Sequence, residues 1–308
     1  MIAAVCLNPS IDRTVTMERF VRGGTNRALG VRDDAGGKGI NVSAALAAMG
    51  APAECICLLR REGAGLIERG LLGGGVALSA VRGDGAVRVN LKLLDRSEGL
   101  VTEVNQPGQP VSAAELDQLA RLILSRAAEC DYLALCGSAP PGTPQTFYRD
   151  LIAAAPAGCR MALDADGEQL SQGVRARPHL IKPNRAELER LAGGRLATLR
   201  DVARAAQSLN EAGVGLVVVS LGADGALASD GRRLLYAPAL RVPVRSTVGA
   251  GDAMLAGLIL GLSRGLSTEG AFRLGMGCAA SGVTGEGTQP PDPDRAAQYA
   301  REVRLEAM

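Results

Sequence analysis

The chain has 308 residues, 47% hydrophobic but only 2% aromatic, with no tryptophan, so its core must be aliphatic and rich in alanine. Its 34 basic and 32 acidic residues give a formal charge of +2, which supports neither a nucleic-acid nor a membrane partner. The amino terminus has no basic segment and no apolar run reaches membrane-spanning length. The seven cysteines lie mostly in apolar runs, which is typical of core residues. Because the chain also has only one histidine, the sequence does not favour a zinc site. We therefore expect a cytoplasmic protein of a reducing compartment.

Short apolar runs typical of buried strands alternate along the chain with alanine- and leucine-rich stretches at helical spacing. The predicted strands are Ala3–Leu7, Ala53–Leu59, Tyr132–Leu135, Arg160–Leu163, Leu180–Ile181 and Leu216–Ser220. The predicted helices include Val42–Met49, Ala113–Ala128, Pro144–Ala155, Leu199–Ala212, Asp252–Leu262, Thr268–Thr284 and Pro293–Val303. This alternation predicts an α/β fold with a mostly parallel sheet covered by helices on both faces.

Two stretches break the alternation, at residues 13–34 and 87–105. In the second, Arg88–Leu94 alternates polar and apolar residues and then turns at Gly99 into Leu100–Val104. Alternation with a period of two around a glycine turn predicts a β-hairpin. We therefore expect a small β-sheet that stands off the main one, and no second-domain boundary within residues 1–308.

The strongest local signal is a glycine-rich turn, Gly249-Ala250-Gly251-Asp252, that runs directly into a predicted helix. Small residues let the backbone approach an anion closely, and the free N–H groups of a helix start can hold negative charge. Asp252 could accept the proton of a hydroxyl that attacks a phosphoryl group. An ordinary helix-capping aspartate after a glycine-rich turn explains these residues equally well.

A second glycine-rich segment, Gly36–Asn41, precedes the helix predicted at Val42–Met49. Amides near Gly37 and the Lys38 side chain could contact a phosphate, and Asn41 could reach a sugar hydroxyl. The segment does not match a Walker P-loop. Asp12 follows the first strand, where a carboxylate can bind two hydroxyls, although a solvated aspartate after an Asn-Pro turn is an equally good interpretation.

Two further strand ends carry polar residues. Asn184 and Glu187 form a capping-box pattern, but an asparagine and a glutamate one turn apart could also orient Mg²⁺ through waters. The Ser220–Gly225 segment suits a nucleotide site or simply a hairpin. Ser138 does not lie in a nucleophile elbow.

In this order and spacing, the segments resemble the ribokinase-like (PfkB) family of carbohydrate kinases, and the resemblance covers nearly the whole chain. It rests on two signatures, Gly36–Asn41 and Thr247–Asp252. The family fold is a doubly wound, mostly parallel α/β sheet flanked by helices, with a small β-sheet lid. The resemblance thus implies one kinase domain over residues 1–308, with a discontinuous lid from about 13–34 and 87–105.

The resemblance implies ATP-dependent, Mg²⁺-assisted phosphorylation of a ketohexose phosphate. It is strongest to the members that convert fructose 1-phosphate to fructose 1,6-bisphosphate. Kinases of tagatose 6-phosphate or fructose 6-phosphate remain alternatives within the family, and a non-catalytic sugar-phosphate sensor is an alternative outside catalysis. In this family the lid can pair with a second copy, which implies a homodimer.

The resemblance also implies roles for individual residues. Asp252 matches the catalytic base, and the amides of Gly249, Ala250 and Gly251 match the anion hole. The positions that match the sugar-phosphate side are Asp12, Arg27, Gly37, Lys38, Asn41, Arg88 and Ser138, with the two arginines on the phosphate. The positions that match the nucleotide side are Lys182, Asn184, Ser220, Gly222 and Gly225, with Glu187 on Mg²⁺. Cys6 and Cys136 depart from the family, which often has threonine or serine there.

Overall fold

The computed structural model of the chain describes residues 1–285 and 287–308. The strands are β1 Ile2–Cys6, β2 Ser10–Met17, β3 Gly30–Gly36, β4 Ala53–Glu62, β5 Ala77–Ala86, β6 Arg88–Asp95, β7 Leu100–Val104, β8 Tyr132–Cys136, β9 Arg160–Asp164, β10 Leu180–Ile181, β11 Leu216–Ser220, β12 Ala226–Ser229, β13 Leu234–Ala237 and β14 Glu306–Ala307. The helices are α1 Lys38–Ala48, α2 Ala64–Gly73, α3 Ala113–Ala127, α4 Phe147–Ala154, α5 Gly167–Val174, α6 Arg185–Ala192, α7 Leu199–Glu211, α8 Ala250–Ser263, α9 Thr268–Val283 and α10 Pro293–Glu302.

The main sheet runs in the order β14-β13-β12-β11-β10-β9-β8-β1-β4-β5. The strands from β11 to β5 are parallel, and β12, β13 and β14 add an antiparallel edge. The predicted mostly parallel sheet is therefore confirmed. In the described part of the chain, no helix is both long and apolar enough to cross a membrane.

Alternate residues of β1 divide the core into two layers. Ala3 and Val5 pack into one buried cluster with apolar residues of α3, α4, α5 and α7. Ile2 and Ala4 pack into the other, with residues of α1, α8 and α9. Because successive side chains of a strand point to opposite faces, a fully buried strand must be apolar throughout. The sequence run Ile2–Cys6 meets that requirement.

A second, smaller sheet has the order β3-β2-β6-β7, and we call it the small sheet. The predicted hairpin is confirmed as the antiparallel pair β6–β7, and β6 also pairs in parallel with β2. Asp12 differs from its expected place at the end of the first strand. The chain turns after Cys6 and is extended again from Ser10, so Asp12 lies on the small sheet opposite Asn90.

Some elements were missing from the sequence prediction, among them α2 and β5. Glycines within α2 lower its helix propensity and interrupt the helical spacing of its apolar residues. Its stability comes from tertiary packing instead, since Ile67 and Leu71 are fully buried against β4.

Candidate functional site

A cleft of about 510 Å³ lies between the carboxyl ends of the parallel strands and the small sheet. It gathers most of the predicted site residues from distant parts of the sequence. Those that line it are Asp12, Gly37, Lys38, Asn41, Arg88, Ser138, Lys182, Asn184, Glu187, Ser220, Gly249, Gly251 and Asp252. Ligands of open α/β sheets bind at this edge, so the cleft is the candidate site.

Asp252 lies in the first turn of α8 and is buried. Its Oδ2 accepts a hydrogen bond of 2.8 Å from the side-chain amide of Asn41 at the start of α1. Burial raises the pKa of Asp252 to about 6, and the nearby Asp164 charge adds to the increase, against the opposing effects of Lys38 and the Asn41 bond. A carboxylate with a pKa close to neutral is suited to exchange protons at physiological pH.

The helix start beside Asp252 presents backbone amides without partners. Gly249 precedes α8 with a φ of 80°, a left-handed conformation that favours glycine. Within the described residues, the N–H groups of Gly249, Gly251 and Asp252 donate no hydrogen bond. A side chain at position 251 would meet the ammonium group of Lys182 at 3.1 Å. Unpaired amides next to an ammonium group form a cradle for an anion.

Asp164 lies at the centre of a buried charge cluster that the sequence analysis missed. Its Oδ1 accepts a hydrogen bond of 2.9 Å from Lys38, and the Lys182 ammonium lies 3.1 Å from its Oδ2, within ion-pair distance although not aligned as a hydrogen bond. Burial would raise the pKa of Asp164, but Lys182 and Lys38 hold it below the usual aspartate value. Asp164 therefore fixes two cations on either side of one carboxylate.

Lys38 is the first residue of α1, and its side chain reaches into this cluster. Burial would lower its pKa, but the neighbouring Asp164 and Asp252 charges raise it above the usual lysine value. Lys38 is therefore a permanent cation within the cleft. The preceding Gly37 has a φ of 116°, and a side chain there would overlap the Cys6 thiol, so both conformation and packing require glycine.

Asp12 is held by neighbours on the small sheet. Its Oδ1 accepts from Ser10 Oγ at 2.8 Å and from Asn90 Nδ2 at 3.1 Å, and its Oδ2 accepts from Lys92 Nζ at 2.8 Å. The Asp12–Lys92 pair is buried. Asp12 therefore faces the cleft as a neutralised, hydrogen-bonded group rather than as a free carboxylate.

Arg88 lies at the start of β6, above the same end of the cleft. Its Nε donates to the Asn8 carbonyl at 3.1 Å, and its Nη1 donates to the Gln106 carbonyl at 2.9 Å. Within the described part of the chain, Arg88 makes no ion pair and its Nη2 donates no hydrogen bond. Arg88 thus brings an uncompensated positive charge and free donor groups to the cleft.

The capping box predicted at Asn184 and Glu187 is present. Asn184 Oδ1 accepts from the Glu187 amide at 2.9 Å, and Glu187 Oε2 accepts from the Asn184 amide at 2.8 Å. Asn184 also forms a parallel bridge with Ser220. Both side chains keep an edge on the cleft, so capping and ligand binding are compatible.

The structure places four predicted site residues outside the cleft lining. Arg27 lies on the exposed loop between β2 and β3. Ala250 is the first residue of α8 and lies in the chain between the lining residues Gly249 and Gly251. The other two, Gly222 and Gly225, flank the short turn after β11. Gly225 has a φ of 96°, and a side chain there would overlap the Ala237 backbone, so its glycine serves the turn itself.

The sequence analysis missed several residues that line or support the cleft. Asn90 and Lys92 alternate with apolar residues after Arg88, so the period of β6 places all three on one face. Asp164 is the last residue of β9, and the rule that ligands bind at strand ends could have identified it. Glu103, Asn105 and Asp166 also line the cleft. Among the described residues, no three His, Cys, Asp or Glu side chains gather as a metal cluster.

A parallel α/β sheet with a buried carboxylate beside unpaired helix amides has the architecture of a phosphotransferase. Residues 5–295 match the sequence pattern of the family described as "pfkB family carbohydrate kinase". The chain belongs to this family, so it is a sugar kinase, and the predicted fold and family are confirmed.

Individual relatives cover nearly the whole chain. It is 40% identical over 309 residues to the 1-phosphofructokinase of Rhodobacter capsulatus, covering 100% of this chain and 98% of the relative. The solved structure of phosphofructokinase-2 from Escherichia coli in complex with substrates and products matches with a TM-score of 0.91 at 29% identity, covering 98% of both chains. A tetrameric inhibited form of the same E. coli protein matches with a TM-score of 0.90 at 29% identity, again over 98% of each chain.

Proposed function

We propose that this kinase transfers the γ-phosphoryl group of ATP to fructose 1-phosphate and produces fructose 1,6-bisphosphate. The observation that carries the proposal is the buried Asp252, held by Asn41 beside unpaired amides at the start of α8. The activity of the 1-phosphofructokinase relative supports the choice of substrate.

In the proposed reaction, the 6-hydroxyl oxygen of the sugar attacks the γ-phosphorus. The bond between that phosphorus and the oxygen bridging to the β-phosphate breaks, and ADP leaves with the electron pair. Asp252 takes the proton of the attacking hydroxyl, and Asn41 keeps the carboxylate oriented. A positioned base typically contributes ~10²–10⁴ in rate.

The negative charge on the transferring group is stabilised by the amides of Gly249 and Gly251 together with Lys182. The three residues already line the cleft, with Lys182 beside Gly251, so little reorganisation is needed during the reaction. Preorganised donors of this kind usually make the largest single contribution to catalysis. Asp164 keeps Lys182 and Lys38 in place without touching the transferring group.

The donor atoms on the nucleotide side fit ATP with Mg²⁺. Magnesium prefers oxygen ligands and usually needs only one or two carboxylates besides waters and substrate phosphates, so a site without a three-residue cluster in the described chain is suitable. Glu187 and Asn184 are the oxygen donors we assign to it, and Ser220 and Lys182 face the nucleotide. When bound, the metal ion neutralises phosphate charge.

The existing phosphate of the sugar is assigned to Arg88. Lys92 is paired with Asp12, and Lys38 is paired with Asp164, whereas the hydrogen bonds of Arg88 within residues 1–285 and 287–308 all go to neutral carbonyl groups and the Asn90 side chain. An uncompensated guanidinium is the group best able to bind a phosphate dianion. Arg27 remains a proposed second contact, which requires its loop to approach the cleft.

Arg88→Ala should raise the KM for fructose 1-phosphate much more than the KM for ATP. One charge-assisted contact contributes about 1.5–3 kcal/mol, which corresponds to an increase in KM of roughly 10- to 150-fold. Initial rates measured with each substrate varied in turn test this prediction. Equal increases in both KM values would remove Arg88 from the sugar-phosphate site.

The pH dependence of kcat should report the ionisation of Asp252. Because its pKa is raised to about 6, the base is protonated and inactive below that pH and ionised above it. We expect kcat at saturating substrates to rise through pH 6 and to level off near pH 7.5. A flat profile from pH 5 to 8 would contradict the assignment of the base.

We also propose that the small sheet is a lid and that its outer face pairs with a second copy. Glu103 of β7 lines the cleft, so its neighbour Val104 faces away from it. On the outer face Val15 pairs with Val31, and Leu91 pairs with Val104. Val31 is 59% exposed and Val104 is 52% exposed, so the single chain leaves apolar surface uncovered.

Light scattering after size exclusion should give a dimer for the wild-type chain and a monomer for Val31→Glu. The added carboxylate would be buried without a partner in the interface, which is strongly unfavourable. Leu72→Glu is the matched control, because Leu72 is 62% exposed on α2 outside the small sheet. Dissociation by both substitutions, or by neither, would refute pairing through the lid.

An ADP-release assay with fructose 1-phosphate, fructose 6-phosphate and tagatose 6-phosphate tests the function directly. We expect the highest kcat/KM with fructose 1-phosphate. A preference for one of the other two sugars would favour the corresponding alternative. Saturable sugar-phosphate binding without ADP release would identify a sensor.

A further inference from the structure

Three of the segments of chain that join the main sheet to the small sheet lie close together. They are residues 7–9 after β1, residues 84–87 at the end of β5, and residues 105–111 after β7, and together we call them the hinge. Asn8 donates through its side chain to the Pro107 carbonyl at 2.9 Å. Arg88 joins the same two segments through the carbonyls of Asn8 and Gln106. The guanidinium assigned to the substrate phosphate is therefore held by the hinge.

Arg60 holds the hinge from the other side. It lies near the end of β4, and its side chain is only 10% exposed. Its Nη2 donates to the Pro110 carbonyl at 2.7 Å, and its Nη1 donates to the Asp84 carbonyl at 3.3 Å. A single buried side chain thus joins the segment that enters β6 to the segment that leaves β7.

Glu115 fixes the Arg60 side chain. Its Oε1 accepts from Arg60 Nη1, and its Oε2 accepts from the amide and hydroxyl of Ser112 at 2.8 Å each, in the capping box of α3. A side chain at Gly83 would overlap both Arg60 Nη1 and Glu115 Oε1. The ion pair is therefore anchored to a helix start, and the neighbouring strand leaves room for it.

Arg60 and Arg88 both border one small cavity. Its volume is about 10 Å³, roughly the space of one water molecule, and Val87, Pro140 and other hinge neighbours also line it. Ion pairs removed from water contribute little net stability, so stability alone does not account for the partly buried Arg60–Glu115 pair here. Its place behind Arg88 suggests a role in geometry.

We propose that Arg60 is a positioning residue for the sugar-phosphate end of the cleft, because it fixes the hinge and the hinge fixes Arg88. Arg60 touches no substrate itself. The inference rests on the proposed role of Arg88. Loosening Arg60 should weaken binding of the sugar phosphate and leave the nucleotide side unchanged, since Lys182 follows β10 and Glu187 lies in α6, both away from β4, β5 and the hinge.

The test measures kcat and both KM values for Arg60→Met and for Gly83→Ala. Gly83→Ala displaces the Arg60 side chain while keeping arginine at position 60. This variant therefore remains informative if Arg60→Met does not fold. We expect the KM for fructose 1-phosphate to rise about fivefold or more in each variant, with the KM for ATP within about twofold of wild type. Unchanged sugar KM values in both variants would overturn the inference.

A double mutant separates action through Arg88 from an independent effect. If Arg60 acts through Arg88, then adding Arg60→Met to Arg88→Ala should change the sugar KM very little, because residues in one network are not additive. If the double mutant instead raises the sugar KM by the product of the two single-mutant factors, the inference is overturned. If Arg88→Ala alone leaves the sugar KM unchanged, the proposed phosphate site is wrong. If Arg88→Ala raises it and Arg60→Met does not, only the hinge role is wrong.

Arg126→Met is the matched control for general destabilisation. Arg126 pairs at 3.0 Å with the buried Glu54 near the other end of β4, far from the hinge. This substitution should lower the urea midpoint of unfolding and leave the sugar KM unchanged. If Arg126→Met raises the sugar KM as much as Arg60→Met does, the effect comes from lost stability and the positioning role is refuted.

Discussion

Asp252→Asn should lower kcat at least about a hundredfold, with little change in ATP binding. Asparagine has the same shape, and its oxygen can still accept the hydrogen bond from Asn41. It cannot accept a proton from the attacking hydroxyl, so only the chemical step is lost. ADP release gives kcat, and titration calorimetry with ATP gives the dissociation constant.

The same substitution should stabilise the protein at neutral pH. The pKa of Asp252 is raised from its ordinary value of 3.8 to about 6 in the folded protein, so folding favours the protonated carboxyl. The stabilisation relative to the ionised form is fully present below pH 3.8 and is lost as the pH rises through 6. At pH 7.5 the buried, ionised carboxylate therefore costs roughly 3 kcal/mol of folding free energy. Urea unfolding should show a more stable Asp252→Asn variant at pH 7.5, and the difference should shrink at pH 4.5.

Asp292→Asn is the control for this substitution. Asp292 caps α10 by accepting from the Arg295 amide, and asparagine caps a helix equally well. The control makes the same chemical change at a helix start outside the cleft and should keep wild-type kcat. A near-normal kcat for Asp252→Asn would remove Asp252 as the base.

Asp164→Asn should destabilise the protein strongly. Asp164 is 1% exposed and neutralises Lys182, which is 5% exposed, as well as Lys38. Removing one partner of a buried ion pair leaves an uncompensated charge and typically costs about 3–5 kcal/mol. Urea unfolding at pH 7.5 measures the change, and an unaltered midpoint would contradict it. Asp131→Asn removes a mostly exposed ion pair with the amino terminus and should cost about 1 kcal/mol or less.

Asp164→Asn should also shift the pH profile of any remaining activity. The Asp164 charge helps to raise the pKa of Asp252, whereas Lys38 and Lys182 lower it. Without Asp164, the two lysines act on Asp252 unopposed, and the rise in kcat should move below pH 6. A shift to higher pH would show that Asp164 is not coupled to Asp252 in this way.

The local patterns of the sequence predicted most of the architecture. The apolar run Ile2–Cys6 predicts a buried strand because both of its faces must be covered. The glycines at 249 and 251 predict an anion cradle because backbone amides are accessible only without side chains. These inferences need only neighbours along the chain. Helix α2 could not be predicted in this way, because its glycines give it a weak helix propensity and tertiary packing stabilises it.

The sequence by itself therefore determined most of the strand–helix order, the glycine turns and most of the residues able to act at them. The tertiary structure decided which charges meet. Asn41 and Asp252 are 211 positions apart, and Lys38 and Asp164 are 126 apart. Their contacts depend on the order of strands in the sheet, which no local pattern encodes. The pKa of Asp252 follows from those contacts and from burial, so it too is a property of the fold.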